Sequence, residues 1–172
     1  MPLSLYSLET KDALRASFSF TSIIIYRKPL SIAKDEVYMT DTDNSATVAL
    51  IKSIVQNMSG VTEWDSVSMI LTFDGKRFSG ASGYAYPASG EIVATAARPS
   101  AVRPFIDAYM QGYYKPEDTY PVKLLVQFDR LSGNYSITFE DADEARWKVT
   151  PRNLNEMREA LRPNFGTKEE GQ

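Results

Sequence analysis

Alternating apolar and polar residues mark the strands of this chain, and the clearest case spans residues 122–140. Apolar side chains stand at every second position over residues 124–128 and again over residues 135–139. Between them lies Ser132-Gly133-Asn134, whose residues tolerate the positive φ angles of a tight turn. Period two on both sides of such a turn predicts an antiparallel hairpin.

The same alternation predicts a second group of strands upstream. Residues 64–73 form its first strand, and Asp74-Gly75 is a typical hairpin turn that leads into a return strand over residues 76–86. Gly80 and Gly83 indicate a bulge or bend in that return strand. A third strand follows at residues 91–96, and a brief further strand is expected at residues 146–149. Near the N-terminus, residues 18–25 and 32–39 favour extended structure.

Three other segments show helical spacing. Residues 45–58 carry apolar side chains three and four positions apart, behind the N-cap candidates Asp43, Asn44 and Ser45. Residues 98–114 repeat this pattern, and because proline is tolerated in a first turn only, we expect the regular helix to begin near Ser100 or Arg103. The last helix is predicted to begin at Thr150-Pro151, to end at Pro163 and to bury a stripe formed by Leu154, Met157 and Leu161.

This order of elements predicts an α+β fold, a mainly antiparallel sheet of about six strands with helices packed on one face. We expect residues 41–165 to form a single domain, preceded by an N-terminal extension or edge strands over residues 1–40 and followed by a flexible tail over residues 166–172. Met39 stands just ahead of a capped helix. In the alternative interpretation, residues 1–38 are therefore an upstream extension.

Composition narrows the possible chemistry. The chain has 172 residues, of which 43% are hydrophobic, enough for an ordinary core. Cysteine and histidine are both absent, so a thiolate nucleophile, a disulfide, the commonest zinc ligands and the usual general base are excluded. The net charge of −3 and the lack of a basic block argue against nucleic acid as a direct ligand.

The residue composition also indicates where the protein is located. A chain without cysteine fits a reducing cytosol, and we expect a cytoplasmic protein. The longest apolar-leaning run, residues 16–26, is too short to cross a bilayer, which takes ~20 residues, so we expect no membrane partner.

One acidic cluster is the best candidate for function, and it consists of Glu140, Asp141, Asp143 and Glu144. The run is too short for a calcium loop and lacks the central glycine. Two interpretations besides a solvated turn remain open. The carboxylates could form an acid–base pair in a cleft, or they could form an electrostatic face for a basic partner.

Tyrosines are the second notable group, since the chain has ten of them. Tyrosine is enriched at protein interfaces because it joins apolar area to a polar tip, and we include Tyr84, Tyr86 and Tyr114 in a candidate binding surface. Trp64 and Trp147 are interpreted as core anchors. The run Gly80-Ala81-Ser82-Gly83 is one residue too short for a serine elbow and has no histidine to activate it.

Residues 45–145 resemble the YezG-like family of bacterial immunity proteins. The resemblance is carried by Trp64, Gly75, the Tyr113-Tyr114 pair and the run LVQFDRLSGNYSITFED at residues 125–141. Residues 1–40 and 146–151 depart from the family pattern. The resemblance implies a cytoplasmic, non-catalytic antitoxin without a cofactor or metal, which binds and neutralises a secreted toxin from the same operon.

On this hypothesis the toxin-binding residues are the acidic cluster with nearby exposed tyrosines, namely Glu140, Asp141, Asp143, Glu144, Tyr84, Tyr86 and Tyr114. One alternative is a small-molecule-binding or enzymatic domain with a sheet-lined pocket, formed by Tyr84, Tyr86 and Tyr109 around a carboxylate. Another alternative is a structural or chaperone-like module, which would show a contiguous exposed apolar patch.

Overall fold

The computed structural model describes the backbone of residues 22–27 and the whole of residues 45–165. Within these ranges the fold is α+β, as predicted. The predicted extended segment at residues 32–39, the alternative start at Met39, the N-cap candidates Asp43 and Asn44, and the predicted tail at residues 166–172 lie outside the described residues.

The sheet contains six strands in the order β1-β6-β5-β2-β3-β4. The strands are β1 (Ser22–Arg27), β2 (Ser66–Asp74), β3 (Arg77–Tyr86), β4 (Val93–Ala96), β5 (Lys123–Asp129) and β6 (Asn134–Glu140). Strands β2 to β6 pair antiparallel with their neighbours, whereas β1 lies parallel to β6 at the edge. Two predicted hairpins, β2–β3 and β5–β6, are therefore present.

Three helices accompany the sheet, namely α1 (Ser45–Gln56), α2 (Pro99–Tyr113) and α3 (Leu154–Ala160). Helix α2 begins one residue before the earlier predicted start, with Pro99 in its first turn and Pro104 inside the helix. Helices α1 and α2 contact each other, and α2 contacts β3. They cover what we call the first face of the sheet.

The first face carries the main core. Because side chains alternate across a strand, Met69, Val126 and Ile137 lie side by side on this face in the strand register. They pack with Ile51 of α1 and Ile106 of α2 in one cluster of buried residues. Burial of this apolar set supplies most of the fold's hydrophobic stabilisation.

The second face is covered by the chain that follows β6, so the prediction that helices pack on one face is wrong. Ile70 and Leu125, one residue out of phase with the first face, pack with Leu161 in a second cluster of buried residues. Half-buried Trp147 and Met157 pack against the same cluster. The sheet is therefore sandwiched between α1 and α2 on one side and the C-terminal part of the chain on the other.

The predicted strand at residues 146–149 is not formed, since residues 144–147 are a turn and residues 148–149 have no regular structure. Trp147 has a φ of 59°, which no strand residue adopts, and its apolar ring packs on the second face without backbone pairing. The strand prediction for residues 146–149 is therefore wrong.

The last helix begins at Leu154 and not at Thr150-Pro151. Asn153 explains the shift, because its Oδ1 accepts a hydrogen bond from the Thr150 backbone N–H at 2.7 Å and its Nδ2 donates to the Lys148 carbonyl at 2.9 Å. Such local bonds compete with helical ones. Of the predicted stripe, Leu161 is buried and Met157 half-buried, whereas Leu154 is 43% exposed.

Candidate functional site: the loop after β6

The acidic cluster begins on a buried carboxylate. Glu140 ends β6 and is 3% exposed. Its Oε1 accepts hydrogen bonds from the backbone N–H groups of Ala142 at 3.2 Å and Asp143 at 3.0 Å, and its Oε2 accepts from Arg146 at 2.7 Å. The Asp143 N–H and the Arg146 guanidinium, which outweigh desolvation, lower the pKa of Glu140 to about 2. Glu140 therefore holds the loop together.

Lys123 fixes the loop from the neighbouring strand. It lies directly opposite Glu140 in the β5–β6 register, and its Nζ donates to the carbonyl oxygens of Glu144 and, at 2.8 Å, Arg146. Burial lowers the pKa of Lys123, while the nearby carboxylates act in the opposite direction. Two adjacent strands thus hold both the start and the end of the loop.

The remaining acidic residues lie on the outside of this loop. Asp143 and Glu144 are exposed and Asp141 is half-buried. Asp143 Oδ1 also accepts a hydrogen bond from the Ala145 N–H at 2.9 Å, which fixes the Asp143 side chain relative to the backbone. The structure therefore separates the predicted cluster into one internal carboxylate and three at or near the surface.

Arg146 and Trp147 complete the loop. The Arg146 guanidinium lies 4.5 Å from the centroid of the Trp147 ring while it bonds to Glu140. This cation–π contact joins the acidic loop to the second cluster, in which Trp147 packs. The loop is therefore bonded along its length and rests on a packed support.

The predicted exposure of the tyrosines is wrong. Tyr84, Tyr86 and Tyr114 are 6%, 2% and 7% exposed, so their rings serve the core. The Tyr86 hydroxyl donates to the Arg158 carbonyl at 2.7 Å, and burial raises the pKa of Tyr84 and of Tyr86. Tyr114 belongs to the first cluster, whereas Tyr84 and Tyr86 belong to the second, so the sheet separates these side chains.

The pocket suggested for a small-molecule ligand is not formed by the three residues named for it. Tyr84 and Tyr86 pack on the second face and Tyr109 on the first. The sheet lies between them, so they do not line a common cavity. The predicted core anchors Trp64 and Trp147 are both half-buried, each packed against its own cluster.

Other candidate chemistry is sparse over residues 45–165. No group of three or more acidic side chains there could hold a metal ion. The large exposed apolar residues are Phe105, Leu131, Val149 and Leu154. None of the helices that the structure describes combines the length and apolarity needed to cross a bilayer.

Sequence reasoning missed a polar group on the second face. Ser68, Gln127 and Ser136 lie side by side on β2, β5 and β6. The Ser136 hydroxyl donates to Gln127 Oε1 at 3.1 Å, and Gln127 Nε2 lies 3.3 Å from Ser68 Oγ. Ser68 and Ser136 are buried and Gln127 is half-buried, although in the sequence all three occupy positions typical of a solvent-facing side.

No family model matches the chain, and neither a curated protein nor a solved structure matches it. The fold and the loop together define a small α+β domain that presents a structurally anchored acidic loop.

Proposed function

We propose that this protein is an immunity protein, which binds a cognate secreted bacterial toxin in the cytoplasm and neutralises it by occluding its active site. Support comes from the sequence resemblance and from one structural observation, the anchored acidic loop. The binding face is centred on Asp141, Asp143 and Glu144, while Glu140 positions the loop from inside.

Anchoring favours a binding role for the loop. A mobile loop loses conformational freedom when a partner orders it, and that loss weakens binding. Here Glu140 and Lys123 hold the loop before any partner arrives. The exposed carboxylates therefore meet a partner at little ordering cost.

The charge of the loop defines the kind of partner surface. Complementary charge accelerates encounter and selects the orientation of the complex. Toxins that act on nucleic acids or nucleotides are often basic, and the loop carboxylates can stand in for the phosphate groups at such a site. Inhibition in this way requires no catalytic residue, cofactor or metal in the immunity protein.

The first test uses the toxin domain that this proposal places in a neighbouring gene of the same operon. We expect co-expression of the chain to restore growth of cells that produce the toxin, and the purified proteins to form a stable complex in titration calorimetry. If the unmodified chain neither protects cells nor binds the toxin, the proposed function is wrong.

Charge reversal then tests the binding face. Asp143→Lys combined with Glu144→Lys should weaken binding by roughly tenfold or more and reduce its dependence on salt. A matched control reverses two exposed acidic residues elsewhere, Glu91→Lys with Glu117→Lys, and should change affinity much less. If both double variants changed the affinity for the toxin equally, the loop would not be the binding face. The proposed immunity function would still stand, because the natural chain binds the toxin.

A further inference from the structure

Polar side chains on the second face of the sheet form hydrogen bonds to the end of α3. The Ser68 hydroxyl and Gln127 Nε2, the latter at 2.9 Å, both donate to the Leu161 carbonyl. The Tyr86 hydroxyl donates to the Arg158 carbonyl at 2.7 Å. Carbonyls at the end of a helix lack intrahelical partners, so the sheet supplies the partners that cap α3. We call residues 148–165 the C-terminal segment.

Apolar attachment of the C-terminal segment is sparse. Helix α3 has seven residues and buries none of them, and its apolar contacts with the second cluster rest on Leu161, just past the helix, and on half-buried Met157. A helix this short is not stable without tertiary contacts. Once these contacts are lost, the whole segment should therefore lose its structure together.

The central row of the second face consists of polar groups that water can satisfy when the face is uncovered. The row contains Ser68, Gln127 and Ser136, which exchange protein partners for water at small cost. The neighbouring row of the first face, Met69, Val126 and Ile137, is wholly apolar. The second face also carries an apolar cluster with Ile70 and Leu125, but that cluster is much smaller than the one on the first face, so exposure of the second face is less unfavourable than exposure of the first.

Trp147, just before the C-terminal segment, has the features expected of a hinge. Lys123 fixes the chain as far as the Arg146 carbonyl, and Trp147 then adopts a φ of 59°. A bulky side chain in this left-handed region is strained, and surrounding contacts must hold it there. Opening of the chain beyond Arg146 relieves that strain.

We propose that the C-terminal segment is a lid that opens from the sheet as one unit, with its hinge at Trp147, while the rest of the domain stays folded. Opening uncovers a groove lined by the hydrogen-bond donors of Ser68, Gln127 and Tyr86. In the closed state these donors bind the carbonyl groups at the end of α3. This inference is independent of the proposed immunity function.

Thiol labelling tests the lid directly, because the natural chain has no cysteine and an introduced thiol is the only one. Ser68→Cys places it under the lid. Ser53→Cys is a matched control in α1, since Ser53 is also buried, at 3%, and its hydroxyl also donates to a backbone carbonyl, that of Leu50. With a disulfide reagent at pH 8, we expect position 68 to react at least ~100-fold faster than position 53.

A second substitution separates lid opening from global unfolding. Ile106→Val in the first cluster should destabilise the whole domain, and so accelerate labelling at position 53 about fivefold, while labelling at position 68 stays unchanged. If both positions reacted at one rate, or if Ile106→Val accelerated both equally, position 68 would open only by global unfolding and the proposal would be overturned. A rate at position 68 equal to that of free cysteine would overturn it too, since no lid would then be closed.

Hydrogen exchange on chains without introduced cysteine gives a second readout. The Met157 and Leu161 amides, which donate to Asn153 and Met157 carbonyls, should exchange together and at the same rate in the natural chain and in Ile106→Val. The Val126 amide in the central sheet should exchange far more slowly and accelerate in Ile106→Val. Exchange of Met157 and Leu161 as slow as that of Val126 would contradict the lid.

Discussion

Replacement of Glu140 by glutamine isolates the charge that holds the acidic loop. Glutamine keeps the size of the side chain and an oxygen that can accept from the Ala142 and Asp143 N–H groups, but it removes the negative charge facing Arg146. The pKa of Glu140 falls from an ordinary 4.5 to about 2 in the folded chain. At about 1.36 kcal/mol per pH unit this difference corresponds to ~3 kcal/mol.

Solvent reduces that figure. The Glu140 side chain is 4% exposed but its partner Arg146 is 36% exposed, so water weakens part of the attraction. We therefore expect Glu140→Gln to lower the free energy of unfolding by about 2 kcal/mol at pH 7. Urea denaturation followed by tryptophan fluorescence measures this directly.

The dependence on pH has a definite sign. The folded-state pKa lies below the unfolded one, so the charge stabilises the fold fully above pH 4.5 and loses that effect as pH falls towards 2. The stability gap between the natural chain and Glu140→Gln should therefore shrink by more than half between pH 7 and pH 3. Glu159→Gln is the control, because Glu159 is 59% exposed in its pair with Arg162 and should cost at most ~0.5 kcal/mol. The reasoning would be refuted if Glu140→Gln lowered the free energy of unfolding no more than Glu159→Gln does, or if its effect did not change with pH.

Three further predictions concern the support of the site. Gly83→Ala should cost at least ~3 kcal/mol or prevent folding, because a Cβ there would lie 1.9 Å from the Ser68 backbone oxygen, whereas Gly80→Ala, with open space around its Cβ, should change urea stability little. Lys123→Met should cost about 1 kcal/mol and accelerate hydrogen exchange over residues 141–146, since the Glu144 and Arg146 carbonyls lose their donor. Burial raises the pKa of Tyr86, so a spectrophotometric titration should show the same number of phenols ionising near pH 10 in the natural chain and in Tyr86→Phe, because the phenol that the substitution removes does not titrate there.

The hairpins were predictable because their determinants are local. Alternation sets which side chains are buried, and the turn glycines Gly75 and Gly133 adopt the positive φ values, 59° and 73°, that such turns require. The irregularity expected near Gly80 also exists, since the β2–β3 register shifts at Thr72 and Phe73, opposite Gly80 and Phe78. Gly83 has a different cause, the close approach of β2, which no spacing rule could indicate.

The cover on the second face was not predictable because its determinants are far apart in sequence. Ser68 bonds to a carbonyl 93 residues away, and nothing near Ser68 distinguishes it from a solvent-facing strand residue. Glu140 is a similar case, since its burial depends on Arg146 and on the turn between them. The sequence indicated only the face of the sheet, because Glu140 follows Ser136 by four residues in β6 and side chains an even number of positions apart lie on the same face.

This division of the acidic cluster changes how mutations in it must be interpreted. Loss of the Glu140 charge loosens the loop, so a Glu140 variant could weaken partner binding through the cost of ordering the loop without any contact of its own. Reversal of Asp143 and Glu144 changes charge at the surface and removes the bond from the Ala145 N–H to Asp143 Oδ1, while the bonds that Glu140 makes to the Asp143 backbone and to Arg146 stay in place. Weaker binding of the Asp143 and Glu144 double variant therefore reports on recognition of the partner. Weaker binding of a Glu140 variant that also has a lower free energy of unfolding reports on the scaffold.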